Sequence, residues 1–505
     1  MSQQTMGAGQ HYKSEAVSQR QSRLKRWIAV LVVGLVLVGA VGLTLWIKLF
    51  REVPTYYVDE IDHFKYGSIG NEANGGIAYW IWLVLPRVFP EHLPGDGGYA
   101  SLGMVFEPGE WKGNRWVGGE VPVGFSKKTI GFPRVAMNCA VCHVTAVREP
   151  GQASPKIIPT GPSHQLNSQA YIRFLSKCAH DYRFSADILL EEMSYDVDLG
   201  PLDKALYRYI IIPRTRQGLF ELEKQYDWMA SRPDWGRGRI DPFNPVKVNV
   251  LKIPADDTIG NADMPPIWNL KAHDGYAFHW DGMNSKIHDV VLSSAIGDGA
   301  TRDSIDLAGL KRVQAYIESA PVPKYPFPID TAKANKGQVI YTQKCAECHA
   351  FGGARTGKIA TLAEVGTDGE RHRLWTDESA RRYNDFARGY PWKFDGFHGT
   401  DGPEGGYVNV PLDGIWIRAP YLHNGSVPSL RNLLKVPKHR PKEFWRGYDV
   451  YDPEQVGFEC SSQEAKRIGT HFDTLQKGNG NGGHLYGTEL PEDQKDALVE
   501  YLKTL

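Results

Sequence analysis

Cys139-Ala-Val-Cys142-His143 and Cys345-Ala-Glu-Cys348-His349 are two copies of one pattern, C-x-x-C-H. The chemistry of that pattern explains its spacing. Two thiols one helical turn apart add to the two vinyl groups of one porphyrin, and the adjoining histidine then lies under the ring with a nitrogen on the iron. A single C-x-x-C would also suit a redox dithiol or half a zinc site. A histidine directly after each pair, twice, selects covalent haem instead. The expectation is two haem c groups, anchored by Cys139, Cys142, Cys345 and Cys348, with His143 and His349 as proximal iron ligands.

The surroundings of the second motif predict a small helical domain. Four prolines between Pro321 and Pro328 read as a stiff linker. Asp330 is placed to cap a helix through Ala334, Val339, Ile340 and Tyr341 into Cys345. Pro491 suits the first turn of a last helix whose Leu498, Tyr501, Leu502 and Leu505 share one face. An entry helix carrying the motif and a closing helix predict a cytochrome c domain over residues 326–505.

At the other end, Trp27 to Ile47 carries no charge and is rich in Val, Leu and Gly. As a helix it would be roughly 31 Å long, enough for a bilayer core. Lys13, Arg20, Arg23, Lys25 and Arg26 precede it against a single acid, Glu15, which predicts a cytoplasmic N-terminus. A cleaved signal peptide is the competing reading, but the run is long and no clear cleavage site follows. The expected layout is a cytoplasmic tail over 1–26, a single-pass inner-membrane anchor over 27–50, a periplasmic first haem domain over 51–325 and the second over 326–505.

Composition agrees with that outline. The 505 residues carry 58 Lys+Arg against 58 Asp+Glu, a balance that argues against a nucleic-acid partner. Gly 53 and Pro 32 suggest many loops around a mainly α fold. The first domain holds Trp80, Trp82, Trp111 and Trp116, and an apolar run Ile77–Leu85 that Pro86 is expected to end as a buried helix or interfacial contact. Loops such as Gly260–Trp268 and Asp274–Met283 supply more wrapping than a plain electron carrier needs. Cys178 and Cys460 remain, either as a disulfide between domains or as buried thiols. Neither has C-x-x-C-H context, so a third haem is excluded.

Further segments resemble a known family. Phe278-His279-Trp280-Asp281-Gly282 resembles the F-W-D-G segment of the bacterial di-haem cytochrome c peroxidases. Ala419-Pro-Tyr-Leu-His-Asn-Gly-Ser-Val-Pro-Ser-Leu430 resembles their second-domain signature. From Ile77–Pro86 to Gly480-Asn-Gly-Gly-His484-Leu-Tyr-Gly487 the chain looks closer to the rubber-oxygenase-like branch, over roughly residues 55–505. The resemblance implies Trp280 as an electron relay between haems, with Trp268 as rival and a core tryptophan as the plainer reading. It implies His484 as the second axial ligand of the second haem, with His423 and His439 as alternatives. His423 would otherwise shape the pocket or bond a haem propionate.

One departure bears on reactivity. The peroxidases place a Gln and a Glu downstream of F-W-D-G, where peroxide heterolysis needs a proton carrier. Here the expected positions fall on Val290, Ala295 and Ala300, with Asp289 and Asp298 out of register. An apolar distal pocket suits dioxygen, or an apolar substrate beside it. The distal ligand of the first haem decides this, with His164 and His180 as candidates to close the site. Two functions follow. One is an oxidoreductase with peroxidase- or oxygenase-like chemistry at the first haem, on dioxygen or peroxide. The other is a non-catalytic electron carrier linking an inner-membrane donor, such as a quinone-linked complex, to a soluble redox partner.

Overall fold

The computed structural model describes residues 6–112 and 115–505, with the side chains of residues 6–16 and 111–117 outside that description. Those of Lys13, Glu15, Trp111 and Trp116 fall in this group. The protein is 44% helical and loop-rich, with one apolar helix near its N-terminus.

The chain forms two compact units. The first comprises Met1–Pro54 with Thr129–Pro133. It consists of the helix Met6–Leu49 and a two-residue strand, Glu52–Val53, paired antiparallel with Ile130 and Thr129. Trp27, Leu31, Val36 and Val38 on this helix are exposed, an arrangement stable only in lipid or an equivalent apolar partner. The segment Val17–Leu49 is long and apolar enough to cross a membrane, a property it shares with signal sequences.

The second unit, Thr55–Lys128 with Arg134–Leu505, contains both C-x-x-C-H motifs. Its helix Thr331–Lys344 is capped by Asp330, whose side chain accepts from Lys333 N at 3.0 Å. This helix packs against the last one, Glu492–Leu502, so closely that a Cβ on Gly337 would fall 1.9 Å from Ala497 O. Glycine is required there by the crossing itself. Ala334, Gly337 and Tyr341 form the inward stripe. Val339 lies off that stripe and is exposed, contrary to the expected pattern. Pro491 is the N-cap rather than a first-turn residue, while Leu498 and Leu502 are buried as their spacing requires.

The core around these helices includes Trp268, Trp416, Tyr451, Val456 and Phe458. The prolines from Pro321 to Pro328 carry no regular structure, yet they are no free spacer. Tyr325 and Phe327 lie on this core, with ring centroids 5.6 Å from Trp416 and 5.6 Å from Tyr451 respectively. A second core gathers Phe243, Met283, Leu374, Trp375, Tyr383 and Phe397.

Pro86 does not end the apolar run. The helix is Tyr79–Val88, with Ile81, Trp82, Val84 and Leu85 buried. Proline offers no N–H to the carbonyl four residues back, which is Trp82 O. That oxygen accepts instead from the Tyr99 hydroxyl at 2.7 Å, while the two rings stack 4.2 Å apart. A side chain thus replaces the missing backbone bond, and the helix continues.

Candidate functional site

The first motif follows the strand Phe132–Met137. Asn138 caps the turn Cys139–Val141, accepting from Ala140 N at 3.0 Å and donating to Gly67 O at 2.9 Å. Ser163 N donates to Cys142 O at 3.0 Å, tying the loop after Pro159 to the motif. His143 Nδ1 lies 2.8 Å from Pro265 O. A carbonyl only accepts, so Nδ1 carries the proton and Nε2, across the ring, keeps the lone pair that a metal needs. Burial holds the His143 pKa down to about 4, which keeps the imidazole neutral.

The second motif repeats this design. The helix Thr331–Lys344 runs into Cys345, and the short helix Ala346–His349 carries the histidine. His349 Nδ1 lies 2.7 Å from Val410 O, so it presents the same tautomer and the same free nitrogen. Cys139, Cys142, Cys345 and Cys348 are all free and half-buried, and burial is the main force raising each thiol's pKa.

His484 stands opposite His349, with ring centroids 6.2 Å apart. Two metal–imidazole bonds of about 2 Å, with each ring centre about 1.2 Å behind its nitrogen, would place trans rings roughly 6.4 Å apart. The spacing therefore fits one iron between them. His484 Nδ1 is buried and has no partner among the protein's own atoms. The loop is held by its backbone: His484 N donates to Val365 O at 2.7 Å, at a left-handed φ of 45°. Arg440 clamps the same loop, donating to Asn481 O at 2.6 Å, Gly483 O at 2.9 Å and His484 O at 3.2 Å. At Gly483, φ is 71° and a Cβ would meet Gly366 C at 2.3 Å, so the glycine is needed for the close approach.

The alternatives lie elsewhere. His439 is exposed on the turn Pro437–His439. His423 is buried and stacks on Tyr407 at 3.8 Å. His164 stacks on Phe458 at 3.9 Å; its Nε2 lies 3.0 Å from Tyr448 O and 3.2 Å from Gly447 N, and its buried Nδ1 has no partner among the protein's own atoms. His180 makes a surface pair with Glu223 at 2.7 Å. His180 is thereby engaged at the surface, away from the first motif's histidine.

Trp280 occupies a link between the two motifs. Its Nε1 donates to Asp263 O at 2.8 Å, two residues from the carbonyl that holds His143. Its own carbonyl accepts from Val408 N at 2.9 Å, two residues from the carbonyl that holds His349. Both predicted wrapping loops contribute to this chain of contacts. Trp268 is instead a wholly buried core residue, with Nε1 3.3 Å from Asp413 O.

The two aspartates after the Trp280 segment play different parts. Asp289 is wholly buried, and its oxygens accept from Asp395 N at 2.9 Å and Gly396 N at 3.1 Å, a structural cap. Asp298, half-buried at the C-cap of the helix Ile287–Gly297, lies near Cys139, Cys142 and Tyr226, where its charge adds to the upward pKa shift that burial gives each of them. Burial pushes its own carboxyl up to about 7. Linear alignment missed this residue, since only the fold brings the helix end beside the first motif. Arg371 and Trp375, which surround Phe243, were also missed because no short motif marks them.

Cys178 is fully buried and Cys460 half-buried, and both are free, so no disulfide joins them. Glu91, His92 and Asp181 converge at the surface, but Arg183 already pairs with both carboxylates, making this an ion-pair cluster.

Comparison with known proteins agrees with the motif reading. Residues 406–446 match a family described as RoxA-like, cytochrome c-like. The matched segment holds Val410, whose carbonyl holds His349, and Arg440, which clamps the His484 loop. The chain is 28% identical over 300 residues to the uncharacterized protein y4iM of Sinorhizobium fredii, covering 50% of this chain and 66% of that one. It is 46% identical over 108 residues to the uncharacterized protein y4iJ of the same organism, covering 20% of this chain and 18% of that one. The chain therefore spans just under two thirds of one of these relatives and less than a fifth of the other. The family match supports a c-type cytochrome of the rubber-oxygenase-like branch, and a cytochrome c-like domain implies covalently bound haem c.

Proposed function

We propose that this protein is a di-haem oxidoreductase in the peroxidase-related superfamily, tethered to the inner membrane by residues 27–50, with two cytochrome c-like domains in the periplasm. The observation that carries the reading is an asymmetry between two similar sites. Both His143 and His349 are oriented by a backbone carbonyl on Nδ1, yet the His484 ring lies 6.2 Å from that of His349, while the His164 ring is stacked on Phe458. The second haem is thus the electron-transfer centre and the first the reactive one.

Haem held by His143 and His349 and their paired cysteines would supply one-electron chemistry and reactivity toward dioxygen or peroxide. The remaining tasks belong to the chain. Pro265 and Val410 fix the tautomers of His143 and His349. Trp280 supplies the hydrogen-bonded connection between the two ligand loops. Asp298 holds a proton at its carboxyl near neutral pH beside the first motif. Val291, Leu292, Ala295 and Ile296 bury the apolar side of its helix and exclude water.

Spin state tests this proposal. The purified oxidised protein should show one high-spin ferric haem that binds cyanide and one low-spin haem that does not. Two low-spin haems with no response to cyanide or carbon monoxide would instead establish the electron carrier, serving a quinone-linked donor and a soluble partner. Fractionation of cells should place the haem protein in the inner membrane, and removal of residues 1–50 should release it.

A further inference from the structure

Around the ring of Phe243 stand three nitrogen-bearing side chains whose hydrogen-bonding capacity the protein leaves unused. Arg371 is 3% exposed, and its Cζ lies 4.9 Å above the Phe243 ring centre. Its acidic contact, Nη2 to Asp281 Oδ1, is long at 3.4 Å, and its Nε and Nη1 have no partner among protein atoms. Trp375 is 1% exposed, packs on Phe243 at 5.0 Å, and its Nε1 is likewise without a partner. His279 completes the group at 5.9 Å, with Nε2 unpartnered.

Guanidinium and indole N–H groups donate only, so whatever satisfies them must accept. A buried guanidinium left with one long contact is costly, which calls for an anion. Its planar fork suits the two oxygens of a carboxylate. The location narrows the source. Asp281 follows Trp280 directly, and Arg371 is close enough to help depress the pKa of His423, whose carbonyl accepts from Asp263 N. The group therefore borders the Trp280 connection between the two C-x-x-C-H motifs.

We propose that Arg371 and Trp375 form a carboxylate-binding site beside Trp280, whose occupant is a haem propionate. This rests on the haem reading above, and the experiment separates the two. Each haem's midpoint potential would be measured in the full-length holoprotein with Arg371→Met, Arg371→Lys and Trp375→Phe, alongside covalent haem content. Removing the cation should favour the ferric form of one haem about tenfold, a fall of about 59 mV for one electron. Arg371→Lys should recover most of the shift, and Trp375→Phe should shift it less, in the same direction. Added acetate should leave the wild-type potentials unchanged. A saturable acetate response in the wild type, lost in Arg371→Met, would support the carboxylate site with a free carboxylate as its occupant. Wild-type potentials in Trp375→Phe and in any Arg371→Met that folds, with haem content intact and no acetate response, would overturn the proposal while leaving the haem reading untouched. If Arg371→Met does not fold, Trp375→Phe decides alone.

Discussion

The rings of His349 and His484 lie 6.2 Å apart with planes inclined at 43°, although they are 135 positions apart in the numbering. One histidine is fixed by its motif and by Val410 O, the other by a loop that Val365 and Arg440 hold in place. On the proposed reading, this pair would hold the second iron between them.

His484→Ala should convert the second haem from low to high spin, read by electron paramagnetic resonance and by its visible bands. His439→Ala should leave both spectra unchanged. A low-spin second haem in His484→Ala would remove His484 from the ligand set.

Trp280→Phe should keep both haems but lose the bond to Asp263 O. Electron transfer between haems after rapid photoreduction should slow by about tenfold, equivalent to about 1.4 kcal/mol on the barrier. An unchanged rate would assign Trp280 to packing alone.

Asp298 gives stability a pH dependence of known sign. Its folded-state pKa of about 7 lies above the ordinary carboxyl value of 3.8. Its contribution is therefore complete below the unfolded pKa and is lost as pH rises from about 4 through about 7. Asp298→Asn should flatten the Tm profile over that window. The same slope in wild type and variant would show that Asp298 is not desolvated in the folded protein.

Gly337→Ala should lower stability by about 1–3 kcal/mol, because the new Cβ would meet Ala497 O and separate the two packed helices. Thermal unfolding measures this. A neutral effect would mean that the crossing is looser than described.

The parts legible in the sequence were those whose chemistry is local. Covalent haem needs two thiols and a histidine within five contiguous positions, so Cys139, Cys142, Cys345, Cys348, His143 and His349 declare themselves. The Asp330 cap and the apolar N-terminal helix are local in the same sense. Pro86 shows the limit of such rules, since a breaker was tolerated once Tyr99 from another segment supplied the missing donor. Val339 was misplaced for a related reason: its exposure depends on which helix face Gly337 turns toward Ala497.

By itself the sequence determined the two C-x-x-C-H motifs and the apolar N-terminal segment, because each depends on residues adjacent along the chain. Only the tertiary structure decided that Pro265 and Val410 orient His143 and His349, that His484 rather than exposed His439 lies beside His349, and that Arg371 is buried. Those relations join segments far apart in the chain, 122 residues for His143 and Pro265 and 135 for His349 and His484. Burial and hydrogen-bond partners of that kind arise from how the loops pack, which no local spacing encodes.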